Sequence, residues 1–129
     1  MPITIHNPHT GQSIRTFGII DTGADECAIP GKMASRLGHT LEKGKAGSSK
    51  TGGGLSECYA HTTSIDIFHP QKGSAPAYRL ENIPVDFMPD LDVVLLGVRN
   101  FLSEFILAID YPRYEFSIKR PIVDRRDTP

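Results

Sequence analysis

An aspartate ends an apolar run in the segment FGIIDTGADE, which spans residues 17–26. The Thr and Gly after Asp21 are typical of a surface turn, in which the aspartate caps local backbone amides. A turn alone does not explain the apolar residues before it, because a carboxylate whose backbone lies in the core needs a dedicated partner. Asp21 is therefore a candidate for a structural turn and, alternatively, for acid–base chemistry at the end of a buried strand.

Other reactive residue types have simpler structural explanations. His6 and His9 flank a proline-containing turn with no third ligand nearby in sequence, so a solvated hairpin tip is favoured over a zinc site. Asp90 and Asp92 precede an apolar run, which is typical of a strand-entry turn. Cys27 has no general base near it in sequence and is interpreted as a buried thiol rather than a nucleophile. We therefore predict no metal and no cofactor.

Short β-rich runs separated by turns dominate the chain. ITIHN and QSIRTFGII flank PHTG, which predicts a hairpin. HTTSIDIF and RYEFSIK alternate apolar and polar residues, as half-buried strands do, and DVVLLG is typical of a central buried strand. AYRLENIPVDF predicts one or two strands interrupted at Pro84. Two short helices are predicted over PGKMASRLG and VRNFLSEFI, so the pattern favours a β-barrel or sandwich with helical inserts.

The segment KAGSSKTGGGLSECY contains three successive glycines, Gly52, Gly53 and Gly54. No Gly-Lys-Ser/Thr motif and no helix start follow them, so a phosphate-binding loop is disfavoured. The glycines predict a mobile hairpin tip instead, because glycine carries a large conformational entropy. Leu55 is the large apolar residue nearest this tip.

Length and charge exclude several classes of protein. A chain of 129 residues predicts one domain at 1–120 with a charged tail at 121–129. The formal net charge of −1 gives no general attraction to nucleic acid or anionic lipid. No stretch approaches the roughly 18 apolar residues of a membrane span, and the first residues lack the features of a signal peptide. With only Cys27 and Cys58 as thiols, we expect a cytoplasmic protein that binds neither membrane nor nucleic acid.

Together these segments resemble the retropepsin-type aspartic proteases. IIDTGAD has the form of that family's catalytic segment, and KTGGGLSE lies where the family has its flap hairpin. VVLLG resembles the strand before the C-terminal helix, and FILAIDYPRYEFSI resembles the closing strands of bacterial and cellular members. The resemblance covers essentially the whole chain in the right order. It implies an all-β, acid-protease-like closed barrel with a flap hairpin and two short helices.

The resemblance also implies an activity. In this class two carboxylates share one proton, one acting as base on a water and the other as acid to the carbonyl. The sequence has nine aspartates, and only Asp21 stands in an Asp-Thr-Gly setting, so its partner would be Asp21 of a second copy. A homodimeric endopeptidase is therefore implied, acting on a peptide or protein substrate without metal or cofactor. A peptide-binding dimer with little or no turnover, and a plain β-domain whose Asp-Thr-Gly is only a turn, stay open as alternatives.

The family's supporting residues carry over to named positions. The resemblance implies support of the active-site loop by Thr22, Gly23, Ala24, Asp25 and Arg99, and a substrate-binding flap at Gly52, Gly53, Gly54 and Leu55. One departure concerns Arg99, since viral members carry the arginine directly after the glycine of the apolar strand and Val98 intervenes here. An Asp25–Arg99 pair and two separately solvated side chains therefore stay open as alternatives.

Overall fold

A computed structural model describes residues 1–51, 54–69 and 75–122. Nine strands and four short 3₁₀ turns make up the regular structure of these residues, and no α-helix occurs among them. The strands are β1 (Pro2–His6), β2 (Ser13–Ile20), β3 (Ala28–Pro30), β4 (Lys45–Thr51), β5 (Gly54–Ile67), β6 (Tyr78–Met88), β7 (Val94–Leu96), β8 (Ile106–Asp110) and β9 (Glu115–Lys119). The turns are Gly31–Met33, Ser35–Leu37, Leu41–Lys43 and Leu102–Glu104.

Six of the strands close into a barrel, which confirms the predicted fold class. Their order around the barrel is β1, β2, β7, β3, β6 and β5, and β5 pairs back onto β1. β4 extends the sheet beyond β5 as one arm of a hairpin, and β8 pairs with β9 in a separate hairpin. Closure leaves the six barrel strands with few free edges.

The barrel interior is filled by alternate side chains of its strands. Ile3 and Ile5 of β1, Ile14 of β2, Ile65 of β5 and Phe87 of β6 are all buried in one cluster. This alternation follows from the pleat, which turns successive side chains to opposite faces. The predicted hairpin of β1 and β2 is present, with Ile5 opposite Ile14.

The two predicted helical segments are present as 3₁₀ turns. The first segment is divided between the turns at Gly31–Met33 and Ser35–Leu37, and the second contains the turn at Leu102–Glu104. Such three-residue turns are a common short connector between strands. The second segment still contributes to the core, because Phe101 and Leu102 are buried.

The predicted interruption of the strand at Pro84 was wrong, since β6 runs through it from Tyr78 to Met88. β3 pairs with β6 only over Asp86 to Met88, so Pro84 has β5 on one side and no strand of the described chain on the other. A proline is tolerated in a strand at such an edge position, where its missing N–H removes no ladder bond.

The apolar run before Asp21 is buried on one side only. Gly18 is buried, whereas Phe17 is 73% exposed and Ile19 is 53% exposed. β2 forms part of the wall of a closed barrel, so its alternate side chains point outward. The expectation of a buried strand therefore holds for one face of this run and not for the other.

Candidate active site

Asp21 lies at the end of a parallel strand pair. β2 pairs with β7 from Gly18 opposite Val94 to Ile20 opposite Leu96. The amide of Asp21 then donates to the carbonyl of Leu96 at 3.1 Å, which continues the ladder by one residue. The strand pair thus holds the backbone of Asp21 at the rim of the barrel, and its side chain is half-buried.

The Asp-Thr-Gly loop is a tight turn closed by the aspartate itself. Oδ1 of Asp21 accepts a hydrogen bond from the amide of Gly23 at 3.0 Å, and the Asp21 carbonyl accepts one from the amide of Ala24 at 3.2 Å. The turn interpretation of the sequence is therefore correct for the backbone. Among the described residues, however, no other side chain bonds to the carboxylate, which leaves it open to substrate or to a second carboxylate.

A second loop holds the first one in place. The amides of Val98 and Arg99 donate to the carbonyls of Ala24 and Asp25, at 2.9 Å and 2.7 Å. Gly97 lies at the point of closest approach, where a Cβ would be 2.8 Å from the Ala24 carbonyl oxygen. The glycine of the apolar strand and the Asp-Thr-Gly loop therefore form one packed unit.

Arg99 makes its ion pair with Glu26. Its Nη1 lies 2.8 Å from Oε1 of Glu26. With Asp25 it makes only a backbone hydrogen bond, from the Arg99 amide to the Asp25 carbonyl. Sequence reasoning missed Glu26, although it directly follows Asp25. Spacing could not choose between adjacent carboxylates, because the direction of each side chain depends on how the loop packs against residues 97–99.

A cavity of about 510 Å³ lies beside Asp21. The Asp-Thr-Gly loop borders it on one side, and Ser48 and Ser49 of β4 border it on another. The predicted residues Gly23, Ala24, Asp25 and Arg99 share this cavity, whereas Thr22 lies on the adjoining surface. Its remaining lining residues were not anticipated from the sequence: Glu26, Ala28, Asp86, Met88, Leu91 and Leu95.

The glycine-rich segment forms a hairpin next to this cavity. β4 and β5 pair in register from Lys45 opposite Ala60 to Thr51 opposite Gly54. Leu55 follows on β5 and is 78% exposed. Gly52 and Gly53, the other two predicted flap residues, lie outside the described residues. The hairpin borders the cavity with Ser48 and Ser49 of β4.

Two acidic groups near the loop have raised pKa values. Burial raises the pKa of the Cys27 thiol to about 11, so the thiol is protonated at neutral pH. This agrees with a buried thiol and argues against a cysteine nucleophile. Burial, and then the negative charge of Glu26, also raise the pKa of Asp86. The ionised form of Asp86 is therefore disfavoured at this position.

The described residues contain no cluster of three His, Cys, Asp or Glu side chains that could hold a metal ion. His6 contacts a carboxylate of the barrel wall, with its Nε2 at 2.9 Å from Oδ2 of Asp66. The described residues also contain no helix with the length and apolar character of a membrane span.

Comparison with known proteins gives matches that include the Asp-Thr-Gly loop and Arg99. A family model described as aspartyl protease matches residues 9–99, a range that includes both Asp21 and Arg99. The chain belongs to the aspartyl protease family. This protease shares its fold with a retropepsin-like aspartic protease from Rickettsia conorii, at a TM-score of 0.57 and 24% identity. That comparison covers 86% of this chain and 84% of the other. No curated protein sequence matches the protease.

Family and fold together define the class of enzyme. The matched range contains the Asp-Thr-Gly segment, and the barrel is retropepsin-like. The aspartyl protease is therefore an aspartic-type peptidase, a hydrolase of peptide bonds.

Proposed function

We propose that this protease is a homodimeric endopeptidase in which Asp21 of each subunit supplies one carboxylate of a catalytic pair. The observation that carries the proposal is that Asp21 is the only aspartate in an Asp-Thr-Gly setting. Its carboxylate bonds to no other side chain among the described residues and borders a cavity of substrate size. One chain thus contributes half of a two-carboxylate site.

The pair shares one proton and acts on a water. The ionised carboxylate takes a proton from the water, whose oxygen bonds to the carbonyl carbon of the peptide, while the protonated carboxylate donates to the carbonyl oxygen. Proton transfer to the amide nitrogen then accompanies cleavage of the C–N bond. Gly23 keeps the approach open, because a Cβ there would lie 3.4 Å from Oδ1 of Asp21.

An exposed apolar patch on the β8–β9 hairpin supports a dimer interface beside the Asp-Thr-Gly loop. Ile109 and Phe116 lie opposite each other in the hairpin and are 50% and 46% exposed. Both line a surface cavity with Thr22, next to the catalytic loop. Apolar patches of this kind mark contact surfaces. A second copy that covers this patch would bring the two Asp21 loops together, and the Thr22 hydroxyls would lie close to the symmetry axis.

The β4–β5 hairpin is proposed to act as a flap. Leu55 supports this role, since it is a large apolar side chain that one chain leaves exposed beside the glycine-rich tip. Closure over a peptide would exclude bulk water from the cavity. We expect hydrogen exchange at residues 50–56 to be fast in the free enzyme and slowed by a peptide-like inhibitor. Equal protection with and without inhibitor would contradict a closing flap.

Subunit mixing tests the two-chain site. Wild-type protease is mixed with increasing fractions of Asp21→Asn under conditions of subunit exchange, at constant total protein. If each site needs both carboxylates, peptide hydrolysis falls with about the square of the wild-type fraction. Glu42→Gln, a substitution in an exposed turn, serves as the mixing control and should leave activity unchanged. A linear decline with Asp21→Asn would contradict the dimeric site, and an active Asp21→Asn alone would contradict the catalytic role.

We also propose a cytoplasmic location. Cys27 and Cys58 are both buried and unpaired, and reducing compartments preserve free thiols. Fractionation of cells that express the tagged full chain tests this directly, and recovery outside the cytoplasm would contradict it.

A further inference from the structure

The cavity beside Asp21 combines an apolar wall with a carboxylate. Ala28 and Met88 are buried in a small cluster, against which Leu91 and Leu95 pack. All four line the cavity, as does Asp86. A long side chain that enters here would meet aliphatic groups along its length before it reaches the charge.

Asp86 is held in the barrel wall with small neighbours. It lies opposite Ala28 of β3 and Ala60 of β5, and its amide donates to the carbonyl of Cys27 at 3.1 Å. Alanine neighbours leave space around the carboxylate. Its oxygens have no hydrogen bond or ion pair with any described residue, so the backbone is anchored while the charge is left without a partner.

The other charged groups at the cavity do not compensate Asp86. Arg99 is the single cation among its lining residues, and its guanidinium is engaged by Glu26 at 2.8 Å. Asp21 and Asp25 add further negative charge to the same wall. Burial, and then the negative charge of Glu26, raise the pKa of Asp86. A cation from outside the chain would stabilise the ionised carboxylate.

We infer that this cavity is a substrate subsite for a long cationic side chain, arginine or lysine, with its charged end at Asp86. The inference rests on the proposed function, because it is the closeness of Asp21 that makes the cavity a substrate subsite. The aliphatic part of either side chain would pack on Met88 and Leu91, and the charged end would pair with the carboxylate. An uncharged side chain of the same length would fill the cavity and leave Asp86 unpaired and desolvated, which disfavours its binding.

Positional peptide libraries test the subsite by hydrolysis. Octapeptide mixtures carry arginine, lysine or citrulline at one fixed position, scanned along the peptide. Citrulline has the shape of arginine without its charge. At one position flanking the cleaved bond, we expect kcat/KM about tenfold higher for arginine or lysine than for citrulline. In Asp86→Asn this preference should fall to about twofold or less, whereas Glu42→Gln should retain it.

A binding measurement separates this inference from the catalytic proposal. Immobilised Asp21→Asn is exposed to the same libraries, and the retained peptides are quantified by mass spectrometry. Retention of arginine over citrulline, lost in the double variant Asp21→Asn with Asp86→Asn, supports the subsite even if the wild-type protein hydrolyses nothing. In that case only the proposed function fails. Equal retention of arginine and citrulline, or a preference that survives Asp86→Asn, would overturn the subsite while leaving hydrolysis by Asp21 intact.

Discussion

Gly97 lies directly against the backbone carbonyl of Glu26, so the end of β7 and the Asp-Thr-Gly loop are packed backbone to backbone. Next to this contact, the amides of Val98 and Arg99 bond to the carbonyls of Ala24 and Asp25. The loop is therefore positioned by a strand distant in sequence as well as by its own turn. This relationship explains why the apolar strand must be followed by a residue without a side chain here.

Replacement of Gly97 by alanine should destabilise the protein and reduce activity. The new Cβ would lie 2.8 Å from the carbonyl oxygen of Ala24, and closer still to that of Glu26, so the loop must shift. Overpacking of this kind costs about 1–3 kcal/mol in the free energy of unfolding, measured by urea titration. Gly47→Ala is the matched control, because its Cβ would meet only the Cys58 sulfur at an ordinary 3.6 Å. Equal stability of the two variants would contradict this packing argument.

Replacement of Ile109 by serine should weaken the proposed dimer. Ile109 is half exposed on the β8–β9 hairpin and lines a surface cavity together with Thr22 of the Asp-Thr-Gly loop. Loss of an apolar side chain from an interface core raises the dissociation constant by about tenfold or more. Sedimentation and specific activity over a dilution series measure the effect. Ile122→Ser, which removes an equally large exposed side chain outside the hairpin, should leave both unchanged; a matching loss there would point away from the hairpin.

Replacement of Asp66 by asparagine should lower the stability of the protein at neutral pH. It should also make the stability depend less on pH in the acid range. Asp66 is buried and accepts two hydrogen bonds from Arg79, which lower its pKa from 3.8, with His6 adding to the effect. A lowered folded pKa stabilises the protein above pH 3.8, and this stabilisation is lost as pH falls through the folded value. We expect the variant to melt about 5 °C lower at pH 7. Asp110→Asn, at an exposed pair with Arg113, should change little.

His39 should make the protein less stable below neutral pH. Its ring contacts that of His61 in a tilted arrangement at a centroid distance of 4.3 Å, and its buried Nε2 has no partner among the described residues. Burial, and then the charges of His61 and His9, lower its pKa from 6.5. The unfolded chain therefore binds more protons, and stability falls as pH decreases from 6.5 to the lower folded value. His39→Gln should flatten the dependence of the melting temperature on pH below 6.5, and an unchanged pH dependence would exclude His39 as its source.

Local patterns in the sequence predicted much of the fold and the turn at Asp21. Alternation in segments such as HTTSIDIF predicts a strand from neighbouring residues alone, because the pleat has a period of two. The Asp-Thr-Gly turn is equally local, since Asp21 bonds to the amide of Gly23 two residues away. For this reason the turn at Asp21, the barrel strands other than β3 and the position of the glycine-rich hairpin could be inferred without coordinates, whereas β3 (Ala28–Pro30) was not predicted.

Tertiary structure decided which residues meet. Glu26 and Arg99 are separated by 73 positions, and only the packing of the loop against the residues after β7 makes Glu26 rather than Asp25 the partner. Asp86 reaches the cavity because β3 pairs with β6, and no pattern around it indicates that pairing. Phe17 faces outward because β2 lies in the wall of a closed barrel rather than in its centre. Each of these outcomes depends on strand neighbours that are far apart in sequence, and a periodic pattern specifies a strand's two faces without specifying what covers them.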